Sequence, residues 1–464
     1  MTPKSHYDIV VIGSGQSGDP LARAFAKAGQ SVVLIEREHV GGTCANTGCT
    51  PTKTMIASAR VAYLARRSAD FGVHFNGPVT VDFAKVRERK RAIVADFRGS
   101  TEKQLAQQDN LDLVYGEARF TSPTEIIVKT NDGQEQAITG GKFFINTGEH
   151  DVVPPLPGLG SVPYLDHASI EEIGSLPERL LILGGGYIAL EFAQMFRRFG
   201  SQVAIVEKSP HLLEQEDGDV CQAMEGILRE DGIEIYTHAQ AQGAAHDGAG
   251  IQLTVQAKDG EQTTLTGTHL LVATGRAPNT KDLGLDKAGV STDEQGHIQT
   301  NSKLETNVPN IWAMGDVKGG PAFTHISYDD YRILEANLLR EGHRTVEDRP
   351  VPYTVFTDPQ LGRVGLTERQ AREQGLNIQV AQIPMTEVAR TVETDETRGF
   401  MKAIVDTDTK QILGCAMLCL DGGEVMSVIE TAMLGKLPYT ALRNGVFAHP
   451  TLSESLNNLF MTLD

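Results

Sequence analysis

Two stretches of the chain repeat one pattern, and that pattern constrains the fold more than any other feature. "YDIVVIGSGQSG" reads as a buried strand, a glycine turn and the start of a helix reaching about Gly29. "SVVLIE" follows as a second strand ending at Glu36. Gly13, Gly15 and Gly18 have the G-x-G-x-x-G spacing, which allows a tight turn and close approach of a pyrophosphate to a helix N-terminus. Glu36 lies where a carboxylate can accept from ribose hydroxyls. "RLLILGGGYIALEFAQMFRRFGSQVAIVE" repeats the pattern with Gly184, Gly186 and Ala189, and closes on Glu207. Two such folds in one chain imply two dinucleotides and electron traffic between them. Glu207 favours NAD, because a 2′-phosphate would meet a carboxylate there. Lys208 and His211 stand nearby and soften that preference.

At 464 residues the chain is too long for one simple core, so two to four domains are expected. The formal net charge of −18 argues against nucleic acid or an anionic membrane as a partner. No run of 18 apolar residues is present, so nothing is expected to span a membrane. The opening "MTPKSHYDIVVIG" lacks the apolar core and cleavage site of a signal peptide, which points to the cytoplasm.

A helix is expected from about Val81 to Gln107. Its "VRERKRA" stretch reads as a solvated face. "LVYGEARF" and "EIIVKTNDGQEQAI" read as strands, with a hairpin turn at Asn131-Asp132-Gly133. "KFFINTG" reads as a buried strand ending in Thr147 and Gly148. The proline-rich "VVPPLPGLG" marks a boundary near residues 152–160. "HLLVATGRAPN" and "NIWAMGDV" read as apolar strands closed by glycine turns at Gly275 and Gly315. From about Val351, strands alternate with helices to the end.

The chain has five cysteines, and two of them, Cys44 and Cys49, share the segment "GGTCANTGCTPTK". A zinc site would need about four ligands, and no second cysteine–histidine cluster accompanies the pair. A redox dithiol needs only the two. Residues five apart on a regular helix rise about 7.5 Å, too far for a disulfide. The pair is therefore expected on a turn or a distorted first helical turn, with Gly48 supplying the freedom. Thr50 and Pro51 read as N-cap and first residue of the following helix. Cys49 would then sit at a helix N-terminus, where a thiolate is favoured. Cys415 and Cys419 read as core residues facing the same side of a strand, and Cys221 as a structural thiol on a helix.

These residues resemble the pyridine nucleotide-disulfide oxidoreductases, the group of dihydrolipoamide dehydrogenase, glutathione reductase and mercuric reductase. The redox segment carries the resemblance, together with "ATGRAPN", "IWAMGDV" and the C-terminal "FAHPTLSESL". It implies an α/β fold with two Rossmann-like dinucleotide-binding domains and a C-terminal α+β dimerisation domain. Residues 1–150 and 276–348 would form the FAD domain, 151–275 the NAD(P) domain and 349–464 the dimerisation domain.

The resemblance implies FAD on Gly13, Gly15, Gly18 and Glu36. Gly42, Thr43, Lys53 and Ala118 match further cofactor-contacting positions, as do Thr147, Gly148, Gly315, Asp316 and Thr324. NADH, with NADPH as the other option, would bind Gly184, Gly186, Ala189 and Glu207, with Gly275 close by. Tyr187 would cover the flavin and move aside for nicotinamide, while Lys53 pairs with Glu191. Electrons would pass from NADH through FAD to a Cys44–Cys49 disulfide. Cys49 would face the flavin as thiolate and Cys44 would exchange with substrate. The family's enzymes are homodimers, so His449, oriented by Glu454, would act as acid/base for the cysteines of the other subunit. Chemistry supports that role independently: thiol exchange needs a group with a pKa near working pH, and a carboxylate fixes the imidazole tautomer. Thr451-Leu452-Ser453-Glu454 also fits a capping box opening the final helix.

The whole-chain likeness is to the mercuric-reductase-like branch that includes the reactive-chlorine-resistance copper(II) reductase. It rests on "GCTPTKT", "IWAMGDVKGGPAFTHISYDDYRI" and "HPTLSESLNNLF". The expected acceptor is a metal ion or an oxidised thiol, with no resident metal. The alternative is a dihydrolipoyl dehydrogenase. A non-catalytic redox sensor is a third reading, against which the cysteine pair and the His449/Glu454 dyad count. The C-terminal cysteine pair common in mercuric reductases is missing, since the last cysteine is Cys419.

Overall fold

The computed structural model describes residues 4–248, 250–347 and 349–464. They divide into two compact units. One holds the chain up to Thr54 with Lys85–Val152 and Gly275–Arg349; the other holds Met55–Ala84, Val153–Thr274 and Pro350–Asp464.

The first unit is built on a parallel sheet. Its central strand His6–Ile12 pairs with Val32–Glu36 on one side and with the end of Glu135–Ile145 on the other. Leu111–Ser122 and Ile311–Ala313 extend it outward. Where both faces are covered, at Ile9–Ile12 and Val32–Ile35, the strands are continuously apolar rather than alternating. Tyr7, Val10 and Ile12 enter one core, while Ile9 and Val11 enter another with Leu21, Phe25 and Trp312. The helix Gly18–Lys27 buries Leu21, Ala22, Phe25 and Ala26, the i, i+1, i+4, i+5 face of an amphipathic helix.

Glu125–Thr130 joins the far ends of Leu111–Ser122 and Glu135–Ile145 as an antiparallel meander. Its hairpin turn falls on Asn131–Gly133 as expected, with Gly133 at φ +87°. The stretches read as "EQAI" and "KFFI" form one strand, Glu135–Ile145, because Gly140 and Gly141 continue extended instead of turning. The long helix is Phe83–Ala106. Its basic stretch is not wholly solvated: Lys90 is 2% exposed, as a long aliphatic stem permits.

The second unit contains a parallel sheet in the order His269–Val272, Arg179–Leu183, Gln202–Val206, Glu234–Tyr236. The helix Tyr187–Phe199 follows the second glycine turn. A three-stranded meander spans Gln240–His246, Ile251–Gln256 and Gln262–Gly267. The C-terminal part is an antiparallel sheet. Its order is Tyr353–Val355, Gln360–Gly365, Ile412–Cys419, Phe400–Asp406, Ile378–Pro384. The helices Gly422–Leu434 and Ser455–Met461 share its core. Cys415 and Cys419 are buried there as expected, and Cys221 is buried on the helix Gly218–Glu230. Among the described residues, no helix is long and apolar enough to cross a membrane.

Candidate active site

The first glycine turn is a bare peptide cradle. A Cβ on Gly13, which has φ +97°, would lie 2.3 Å from the Asn146 carbonyl oxygen, and one on Gly18 would lie 2.0 Å from that of Gly13. Gly42 packs on Gly15 at a distance that leaves no room for a side chain. At the end of its strand, Glu36 accepts from the Ser14 N–H at 3.0 Å, from the Ser14 hydroxyl at 2.6 Å and from the Glu38 N–H at 2.9 Å. Strand end, turn and carboxylate therefore meet as the spacing predicts, and they suit the adenosine pyrophosphate portion of a dinucleotide.

A buried polar network behind this turn escaped sequence reasoning. The Asn146 side chain donates to the Gly13 carbonyl at 3.3 Å and accepts from the Ser17 hydroxyl at 3.1 Å. Ser17 shares a 2.6 Å hydrogen bond with Ser327. Asp330, fully buried, accepts from the Gly315 N–H at 2.8 Å and from Arg349 at 2.7 Å. The network fixes Gly315, so that Asp316 projects from a rigid turn. Burial pushes the Asp316 carboxyl up, against the pull of Arg276 and Lys318. Thr147 and Gly148 are clasped by Asn279: its amide donates to the Thr147 carbonyl at 2.8 Å and its N–H to that of Gly148 at 2.9 Å. Ala118 packs against the sheet core.

The two cysteines straddle a break between helices. Gly42–Asn46 is one short turn containing Thr43 and Cys44, and Cys49–Arg66 is the next helix. The second helix starts at Cys49 itself rather than at Thr50-Pro51. The Thr52 N–H already bonds the Gly48 carbonyl, and Pro51, lacking an N–H, costs nothing within a first turn. Cys49 thus receives the helix-terminal field directly. Its sulfur lies 3.2 Å from the Thr324 hydroxyl, at the start of the helix Thr324–Leu339. The hydrogen bond to Cys49, together with burial, holds the Cys44 thiol far above its ordinary range, against the pull of Thr324 and Lys53.

The second glycine turn repeats the first. Gly184 has φ +117°, and a Cβ there would meet the Ala273 carbonyl oxygen at 2.3 Å. Gly186 borders open space, as an approaching pyrophosphate requires. Ala189 is buried. Tyr187, half-buried, opens the helix. Glu207 accepts from the Ser209 N–H at 2.7 Å. Glu191, 3% exposed, accepts from the Phe356 N–H at 2.8 Å. Gly275, at φ +129°, also borders open space.

His449 and Glu454 come together. Nδ1 of His449 lies 2.8 and 3.0 Å from the two carboxylate oxygens, which leaves Nε2 for proton transfer. Only half of the capping box forms. Thr451 Oγ1 accepts from the Glu454 N–H at 3.1 Å, but the Glu454 side chain is turned to the histidine. Cys44, Cys49, Lys53 and Thr324 belong to the first unit, whereas Glu191, His449 and Glu454 belong to the second.

Known proteins match the chain over nearly its whole length. The model of the pyridine nucleotide-disulphide oxidoreductase family covers residues 7–330, and that of the family's dimerisation domain covers 351–460. The chain belongs to this family of flavoprotein oxidoreductases, which use FAD and a pyridine nucleotide. It is similar to the probable pyridine nucleotide-disulfide oxidoreductase RclA of Escherichia coli (strain K12), at 41% identity over 98% of each chain. A mercuric reductase of Streptomyces lividans is 34% identical over 97% of this chain and 94% of its own. Among solved structures, the Cu(II) complex of the HOCl-induced flavoprotein disulfide reductase RclA from Escherichia coli matches with a TM-score of 0.89. The match has 40% identity and covers 98% of this chain and all of that one.

Proposed function

We propose that this enzyme passes electrons from NADH through the Cys44–Cys49 pair to a metal ion, copper(II) or mercury(II), or to an oxidised thiol. The observation that carries the reading is the asymmetry of the dithiol: Cys49 heads an 18-residue helix with its sulfur beside the Thr324 hydroxyl, while the hydrogen bond to Cys49 and burial push the Cys44 thiol up. The likeness to RclA and to mercuric reductases supports a metal acceptor.

Residues 1–150 and 276–348 would hold FAD, on the Gly13–Gly18 turn, Glu36, Gly42, Thr43, Thr147, Gly148, Gly315 and Asp316. Bound FAD supplies the two-electron relay between nicotinamide and sulfur. Residues 151–275 would hold the nicotinamide nucleotide, and Glu207 favours NADH over NADPH. Tyr187, at the start of the helix that follows the second glycine turn, screens the nicotinamide site until the nucleotide arrives. Cys49 is the thiolate facing the cofactor. Cys44 is the sulfur that meets the acceptor, once a base takes its proton. His449 of a second copy is that base, with Glu454 keeping Nδ1 occupied. Turnover leaves the two sulfurs joined, and the two electrons released reduce two copper(II) ions, one mercury(II) or one disulfide.

Residues 349–464 would form a homodimer. Leu434, Leu437, Val446 and Met461 are large apolar side chains exposed on this segment, a pattern that marks protein contacts. We place the enzyme in the cytoplasm, where thiols stay reduced. The Cys44→Ser variant tests the reading: it keeps its FAD and loses acceptor turnover. Full turnover in Cys44→Ser would remove the dithiol from the reaction.

A further inference from the structure

The loop after the second nucleotide strand carries a device that the glycine turn and Glu207 do not explain. Residues 207–213 fold over the turn. A Cβ on Gly185 would meet both Glu207 Cγ and Leu212 Cδ2 at 2.8 Å, and the Leu213 N–H donates to the Gly185 carbonyl at 3.0 Å. His211 lies in the chain between Glu207 and Leu212, the two residues that touch the turn, on the loop that follows the candidate ribose-binding carboxylate.

Behind the loop stands Glu225, from the helix Gly218–Glu230, 6% exposed. One carboxylate oxygen accepts from the Leu212 N–H at 3.2 Å and lies 3.2 Å from His211 Nδ1. The other accepts from Arg229 at 3.1 Å. A buried carboxylate therefore pins the loop and occupies the His211 ring nitrogen and the Arg229 guanidinium at once.

We propose that Glu225 is a positioning residue that sets dinucleotide choice. It withholds His211 and Arg229 from any 2′-phosphate and adds a second negative charge behind Glu207. A 2′-phosphate carries close to two negative charges and needs cationic partners. With Glu225 in place, His211 and Arg229 already have theirs. The proposal rests on the reading that the second glycine turn binds a nicotinamide nucleotide.

The test is calorimetric titration of the FAD-loaded enzyme with adenosine 5′-monophosphate and with adenosine 2′,5′-bisphosphate, without turnover. Glu225→Gln keeps an oxygen for the Leu212 N–H and removes the charge. It should tighten the bisphosphate about tenfold relative to the monophosphate at low salt. The double variant His211→Gln with Glu225→Gln should lose the part of that gain that His211 supplies. An unchanged ratio in Glu225→Gln, equal tightening of both ligands, or a gain that survives undiminished in the double variant would each overturn the proposal. Failure of the wild-type enzyme to bind either nucleotide or NADH would instead overturn the assignment of the nucleotide site. A Glu225→Gln protein that does not fold hands the decision to Arg229→Gln and His211→Gln. Under the proposal, both leave the wild-type ratio unchanged, because Glu225 still stands behind the loop; a shift in either would overturn it.

Discussion

Glu216 is a buried acid that should make the stability of this enzyme pH-dependent near neutrality. It is 1% exposed. The Tyr353 hydroxyl donates to Oε1, while Oε2 lies 3.6 Å from Arg363 Nε and has no hydrogen-bond partner among the described residues. Loss of hydration outweighs the attraction of Arg363, and the charge of Asp217 adds to it, so the carboxyl is pushed up to about 7 from an ordinary 4.5. Arg369 and Lys402 pull weakly the other way. The folded chain thus keeps a proton that the unfolded chain releases.

The sign follows from linkage. The favourable contribution is complete below pH 4.5 and is lost as pH rises through 7. The shift corresponds to about 3 kcal/mol. Glu216→Gln cannot release a proton, so it removes this dependence. Urea unfolding of wild type and Glu216→Gln from pH 5 to pH 8 measures it. The two proteins should be close in stability at pH 5, and the variant should be ahead by up to about 3 kcal/mol at pH 8. Curves that run parallel across the range would refute the reasoning, because the carboxyl would then be ionised throughout.

Gly18→Ala forces a Cβ to within 2.0 Å of the Gly13 carbonyl oxygen; relieving a backbone clash costs roughly 1–3 kcal/mol. The ratio of flavin to protein absorbance should fall at least several-fold on purification, and full FAD content would contradict the rigid cradle. Thr324→Val removes the hydroxyl 3.2 Å from Cys49. Alkylation of Cys49 in the reduced enzyme should slow about three- to tenfold at neutral pH, and an unchanged rate would show that Thr324 does not support the thiolate. Glu454→Ala leaves His449 Nδ1 without its carboxylate, and acceptor turnover should fall about tenfold. Reduction of the flavin by NADH should stay as fast as in wild type; equal loss in both half-reactions would mean a general structural defect.

The parts that announced themselves in the sequence are those whose physics is local. Strand, glycine turn, helix and terminal carboxylate lie within one βαβ unit, so Gly13, Gly18 and Glu36 could be read together. The cysteine pair was legible because disulfide reach excludes a regular helix over that spacing, and the chain does break between helices at Thr47-Gly48. What stayed hidden depends on partners far apart in the chain. Asn146 holds the glycine turn from the end of a strand that reads only as apolar, and Ser17 meets Ser327 across 310 positions. Lys90 sits in a run of charges that local composition assigns to solvent. Glu225 looks like any acid on an amphipathic helix until the loop it grips is seen. The start of the helix at Cys49 was missed by two residues, because the Thr-Pro pair gives a strong local start signal that the Gly48 carbonyl pre-empts.

The most direct test of the central claim is NADH oxidation by the purified yellow enzyme, with copper(II), mercury(II) and lipoamide supplied in parallel and Cys44→Ser as control. The account predicts turnover with a metal ion, little with lipoamide, and loss of the metal-dependent rate in Cys44→Ser with its flavin retained. Fast turnover with lipoamide and none with either metal would contradict it, and would make the enzyme a dihydrolipoyl dehydrogenase.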